Sequence, residues 1–108
     1  MRLRQVMLNL LTNADRHAPA GARISIRARA DGGRAVIEVA NTGSALDTEQ
    51  RARVFDRFYR TDPSRQRATG GTGLGLAIVK SLVEAQGGTA WVHEQGGEVV
   101  FAFSLPLA

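Results

Sequence analysis

The segment N-L-L-T-N-A-D-R-H, Asn9 to His17, sets two carboxamides four residues apart. On a helix that spacing stacks Asn9 and Asn13 on one face. A buried amide needs several hydrogen-bond partners, so two of them among leucines either line a solvated face or serve a ligand. The ligand chemistry they fit is a hard cation: a carboxamide oxygen can complete the shell of Mg²⁺, whose other ligands would be water and nucleotide phosphate. A second segment, G-G-T-G-L-G-L from Gly70 to Leu76, runs a glycine-rich turn into a helical pattern. Glycines let backbone N–H groups approach phosphate oxygens, and a helix N-terminus adds partial positive charge. The segment is a phosphate cradle or, more simply, a hinge before a helix. It is not a Walker A loop, since no Gly-Lys-Ser/Thr follows, and no strand enters it as a dinucleotide fingerprint requires. The third segment, A-N-T-G-S-A-L from Ala40 to Leu46, is a polar loop at a strand end. Phe55, Phe58 and Tyr59, in V-F-D-R-F-Y-R from Val54 to Arg60, read as core or lid-anchoring residues.

These residues need elements to hold them. Leu3, Val6, Met7, Leu10, Leu11 and Ala14 recur at helical spacing up to His17, and Pro19 and Gly21 end the pattern. Alternation over Arg23–Ala30 and Arg34–Ala40, joined at Asp31-Gly32-Gly33, predicts a β-hairpin. Asn41–Asp47 reads as a loop, and Thr48 as the cap of a short helix through Phe55. Leu74–Ala85 predicts a second long amphipathic helix ended by Gly87-Gly88. A second hairpin, about Thr89–Glu94 and Val99–Leu105, turns at Gln95-Gly96-Gly97-Glu98. Between Thr61 and Gly73 lies TDPSRQRATGGTG, with almost nothing apolar to bury. It is expected to be mobile, and loops of this length in compact domains tend to be functional lids. The element order predicts a two-layer α/β sandwich with helices on one sheet face.

Composition agrees. At 108 residues, 44% hydrophobic and 22% charged, one domain over residues 1–108 is expected. No apolar run reaches the roughly 18 residues of a membrane span, so no direct membrane contact is expected. The absence of cysteine excludes disulfides and thiolate metal sites and agrees with a reducing cytoplasm. Fourteen Lys and Arg against ten Asp and Glu give a net charge of +4, and Lys80 is the single lysine, so the positive charge is almost all arginine. That suits an anionic ligand. The arginines are scattered rather than striped, and no zinc-finger, RNA-binding or recognition-helix pattern accompanies them, which argues against nucleic acid.

Taken in order, these segments resemble the N, G1, F and G2 boxes of the histidine-kinase ATP-binding domain, in the ATPase family shared with gyrase, Hsp90 and MutL, over essentially the whole chain. RFYRTDPSRQR followed by GLGLAIVKSLVEAQGGT is similar to the heavy-metal (copper or silver type) sensor kinases of bacteria. The resemblance implies a Bergerat-type fold with a mixed sheet, here lacking the short N-terminal strand. It implies that Asn9 and Asn13 form the catalytic pair and hold Mg²⁺, that Arg16 reaches phosphate, and that His17 borders the adenine. Gly71, Thr72, Gly73, Leu74, Gly75 and Leu76 would hold the triphosphate, and Arg60, with Arg65 and Arg67, would meet its charge. Asn41 and Gly43 belong to the adenine end, Asn41 standing where most of the family has an aspartate, and Ala45 where it has a second glycine.

The function implied is phosphoryl transfer from ATP-Mg²⁺ to a histidine on a dimerisation segment, for onward transfer to a response regulator. Neither His17, inside the N box, nor His93, in a strand pattern, fits the acceptor. The chain is therefore expected to bind ATP without phosphorylating itself, to be monomeric while the intact kinase dimerises, and to be a cytoplasmic part of an inner-membrane sensor. Two rivals stand beside this reading. A hydrolytic ATPase or serine kinase of the same fold is one, against which Asn9 argues, since a hydrolytic ATPase would carry a glutamate base there. A non-catalytic docking module is the other, suggested by Asn41 and Ala45.

Overall fold

The computed structural model describes residues 3–43, 47–56 and 75–107, with the side chain of His17 outside that set. Helix α1 (Leu3–His17) forms because its apolar residues fall every three or four positions. Val6, Leu10 and Ala14, one stripe at i, i+4 and i+8, are fully buried. The helix stops where the sequence says it must. Ala18 donates the last helical bond to Ala14 O at 2.9 Å, and Pro19 then disfavours a helical residue before it.

Strands β1 (Ile24–Asp31) and β2 (Arg34–Thr42) make one hairpin, and β3 (Thr89–Gln95) and β4 (Glu98–Pro106) the other. Each turns on a Gly-Gly pair at positive φ, the two-residue geometry whose twist suits a tight hairpin. The sheet order is β1-β2-β4-β3, antiparallel at every junction. The expected mixed sheet is thus corrected to an antiparallel one among the described strands. The reason lies in the crossover: β3 returns running parallel to β2 but one strand's width away, and β4 fills the gap, antiparallel to both.

Helix α2 (Thr48–Arg53) is capped by Asp47 rather than Thr48 and stops short of the expected Phe55. Asp47 Oδ1 accepts from Gln50 N at 2.7 Å and Gln50 Oε1 accepts from Asp47 N at 2.9 Å, a reciprocal capping box that Thr48, with Arg51 three residues on, could not form. Helix α3 (Gly75–Ala85) ends in a Schellman arrangement, with Gly88 N donating to Val83 O and Gly87 N to Glu84 O.

Both long helices pack on one face of the sheet, as expected. Val6, Leu10 and Ala14 of α1 and Val79 and Val83 of α3 meet Val39, Val99, Phe101 and Phe103. Phe55 joins them, its ring edge-on to Phe101 with centroids 6.4 Å apart, which bears out its reading as a core residue. Phe58 and Tyr59 lie outside the described residues. The opposite sheet face carries Ala40, Val100 and Ala102 beneath Trp91, and an ion-pair group. There Glu38, 7% exposed, receives Arg27 Nε and Arg29 Nη1, each at 3.2 Å, while Arg27 also reaches Glu98 at 3.1 Å.

One strand runs longer than expected. Asn41 and Thr42, read as loop, continue β2 and pair with β1 and β4. Thr42 N donates to Arg23 O at 3.0 Å and Arg23 N to Thr42 Oγ1 at 2.9 Å, locking the strand end. Gly43 follows at φ +82, where an added Cβ would sit 2.8 Å from Pro19 Cγ.

Two outcomes follow. Gly21 shares the φ of Gly43, but a Cβ added there would meet nothing within 4 Å. Gly21→Ala should therefore cost about 1 kcal/mol for φ alone, and Gly43→Ala about 1–2 kcal/mol more; equal losses in urea unfolding would show that Pro19 imposes nothing. At Glu38, burial pushes the carboxyl up, but the hydrogen bonds and charges of Arg27 and Arg29 outweigh it and hold the group below its ordinary range. A carboxylate lowered in the folded state stabilises above its unfolded pKa of about 4.3 and loses that contribution as pH falls through the folded value. Glu38→Gln should be less stable by about 1–2 kcal/mol near neutral pH, with the difference shrinking in acid below about pH 4; a gap that persists there would assign the loss to packing.

Candidate nucleotide site

Burying Val6, Leu10 and Ala14 fixes how α1 is rotated, and the neighbouring stripe is Asn9, Asn13 and Arg16. This stripe faces the start of α3: Asn9 Nδ2 donates to Gly75 O at 3.4 Å. The two sequence-distant segments singled out for chemistry therefore meet. With its nitrogen on Gly75, the Asn9 carboxamide has an oxygen that can accept or ligate.

One turn on, Asn13 buries its Nδ2, which has no hydrogen-bond partner among the described residues. A buried donor left unmade costs about 1–3 kcal/mol, so the group is suited to an incoming acceptor such as a phosphate oxygen or a bridging water. Since carboxamide nitrogen and oxygen interchange by a half-turn, the same position can present an oxygen to a cation. Arg16, half-buried one turn further, brings a permanent positive charge to the same side.

At Gly75 an added Cβ would meet nothing within 4 Å among the described residues. The first N–H groups of a helix lack intrahelical acceptors and carry its partial positive charge. Leu76, in contrast, packs against the core and anchors that helix start. Gly71, Thr72, Gly73, Leu74 and the arginines Arg60, Arg65 and Arg67 lie outside the described residues, as do Ala45 and the expected lid from Thr61 to Thr72. Among the described residues no group of three or more His, Asp or Glu is arranged to hold a metal.

The other end of the site is built by β2. Asn41 is 1% exposed on the helix-facing side of the sheet, between Ile24 of β1 and Val99 of β4. Gly43 follows against Pro19, which itself trails α1, so the end of the asparagine helix and the end of β2 are braced together. Sequence reading missed Thr42 and Pro19 as supports. The signals were present: a Thr next to Asn-x-Gly can bond backbone through its hydroxyl, and the proline sits where the helix pattern stops. His93 lies on the far face of the sheet, its Nε2 3.4 Å from Gln95 Oε1, away from both ends of the site.

The sequence and the fold match known proteins. Residues 1–108 match the family model described as histidine kinase-, DNA gyrase B-, and HSP90-like ATPase. The chain is 43% identical over 106 residues to the sensor histidine kinase CusS of Escherichia coli (strain K12), covering 98% of this chain and 22% of CusS. It spans about a fifth of the length of the curated relatives it matches. Among solved structures, the nucleotide-free catalytic domain of histidine kinase ThkA superposes with a TM-score of 0.83 at 31% identity, over 97% of this chain and 66% of that one. ThkA has also been solved in complex with the response regulator protein TrrA, where the match has a TM-score of 0.80 at 27% identity, over 99% of this chain and 29% of that one. Full-length ShkA in complex with AMPPNP matches with a TM-score of 0.81 at 40% identity, over 99% of this chain and 22% of that one. No described helix is long and apolar enough to cross a membrane. The chain therefore belongs to the histidine kinase-, DNA gyrase B-, and HSP90-like ATPase family, as a catalytic domain of the sensor histidine kinase kind.

Proposed function

We propose that this chain binds ATP with Mg²⁺ and presents the γ-phosphoryl group to a histidine on a dimerisation segment of a longer sensor kinase, for onward transfer to a response regulator. The observation that carries the reading is the meeting of Asn9 with Gly75: it brings a carboxamide against the first described turn of α3, a pairing of cation ligand and anion site in one place. Asn9 and Asn13 would hold Mg²⁺, which when bound neutralises phosphate charge.

The chain's own residues supply the rest. Arg16 and the first N–H groups of α3 meet the phosphate oxygens, and Asn13 offers its buried amide to whichever oxygen lies beside it. Asn41, at the opposite end, meets the base. Carboxamides take up no proton at ordinary pH, so Asn9 and Asn13 position and neutralise rather than abstract; catalysis then rests on alignment and electrostatics, as phosphoryl transfer requires. The likeness to CusS and the heavy-metal kinase segments supports placing the chain as a cytoplasmic domain of a heavy-metal sensor anchored in the inner membrane, dimeric through its dimerisation segment.

Calorimetric titration of the folded chain with a non-hydrolysable ATP analogue should give micromolar to millimolar binding, strengthened by Mg²⁺ and weakened about tenfold or more in Asn13→Ala. No heat from a folded chain would overturn the reading in favour of a docking module. Incubated with γ-labelled ATP, the chain should retain no acid-labile label, because the acceptor histidine lies on another segment; stable labelling would move the acceptor onto this domain.

A further inference from the structure

Helix α3 is held on the sheet by apolar side chains, Val79 and Val83 fully buried among them. Burial of this kind is non-directional: it keeps a helix down but leaves its slide and tilt to polar contacts. Such contacts lie at the two ends. At the start Asn9 Nδ2 reaches Gly75 O at a long 3.4 Å. Just past the other end Arg34 Nη2 donates to Gly87 O at 2.8 Å, while Arg34 Nε donates to Ser104 Oγ at 3.2 Å. Both acceptors are neutral oxygens, although Asp31 is the register partner of Arg34 on β1. One guanidinium thus joins the close of α3 to β4. Its own backbone is fixed in turn, since Arg34 pairs in register with Pro106 and Leu107 N donates to Gly33 O at 2.9 Å. The junction has no slack, because a Cβ added at Gly88 would collide with Ser104 O.

Resting on the ATP-binding reading above, we infer that Arg34 is a positioning residue for the phosphate end of the site, acting through α3 from the opposite end of the helix. Eleven residues at about 1.5 Å each set Gly75 about 16 Å from that junction. The Arg34–Gly87 contact is exposed to solvent, and the distance is roughly twice a Debye length of about 8 Å, so the charge of the arginine is screened from the far end. Its influence is geometric. A helix pinned at its close and held by one long contact at its start pivots about the pinned end, and with the pin removed a tilt of about 4° shifts the start by about 1 Å. A misplacement of about 1 Å can weaken what a site does to a reacting group by up to about a hundredfold. Here the shift falls on the seam where Asn9 meets Gly75, which is where the phosphates are met.

The test is Arg34→Met, which keeps the aliphatic stem and removes the donors, read in two ways. In the nucleotide-free chain, the backbone amide resonances of residues 75–78 should move, although the substitution lies at the other end of the helix. In displacement of a fluorescent ATP analogue, ATP should bind about tenfold more weakly, while circular dichroism shows the variant as fully folded as the unaltered chain. If the methionine variant does not fold, Ser104→Ala removes the β4 side of the junction and leaves Arg34 in place. It should weaken ATP about threefold, and equal affinity there overturns the role. Unmoved resonances at 75–78, or unchanged ATP affinity in a folded Arg34→Met, overturns the positioning role and leaves the ATP reading standing. A loss of ATP binding that only follows a fall in the folded fraction also overturns it, since that is a loss of chain rather than of alignment. Absence of ATP displacement from the unaltered chain overturns both readings together.

Discussion

A helix that buries one stripe has no choice about where it points the next. In α1 the burial of Val6, Leu10 and Ala14 against Val39, Phe101, Phe103 and α3 sets the rotation of the whole helix, and each fully buried Val or Leu among them contributes about 1.5–3 kcal/mol relative to exposure. The asparagine stripe lies next to the apolar one by the geometry of 3.6 residues per turn, so Asn9 is aimed at the start of α3, with Asn13 one turn along the same stripe, by forces that have nothing to do with a ligand. Polar groups held at the seam of two helices are positioned by the core beneath them. The cost of an unsatisfied amide is then borne by a framework able to carry it.

The sheet does the same for the other end. Asn41 is placed by its neighbours on β1 and β4, and the strand end is fixed by the Thr42–Arg23 pair and by Gly43 against Pro19. The two ends of the site thus rest on different layers, and Pro19 is a point where those layers touch. On the far sheet face the Arg27–Glu38–Arg29 group covers small residues with long charged ones, which keeps an uncovered sheet surface polar.

Much of this was legible in the sequence because it is local. The apolar period of α1, the two Gly-Gly hairpins and the glycine end of α3 each lie within a few residues, and the structure has them close to where the pattern put them. Asn, Thr and Gly favour turns in isolation, which points Asn41 to a loop, while the strand that claims it depends on partners far along the chain. Asp-x-x-Gln signals the Asp47 cap, but the adjacent threonine is equally competent as a cap in isolation. The antiparallel junction of β2 and β4, and the contact of Asn9 with Gly75, depend on how distant segments arrive beside each other, which no window of sequence contains. The box residues themselves were legible for a different reason: they are polar where the pattern asks for apolar, and glycine where it asks for side chains.

The insertion of β4 between β2 and β3 has a kinetic side. Each hairpin closes on a two-residue turn, a microsecond event for a chain of this kind. The β2–β4 seam joins segments separated by both short and long helices, so its loop-closure entropy is the largest in the sheet. Docking of one hairpin onto the other is therefore the pairing with the highest loop-closure cost among the described strands. Asn41 stands on that seam opposite Val99, so its surroundings are complete only when the two halves of the sheet have found each other.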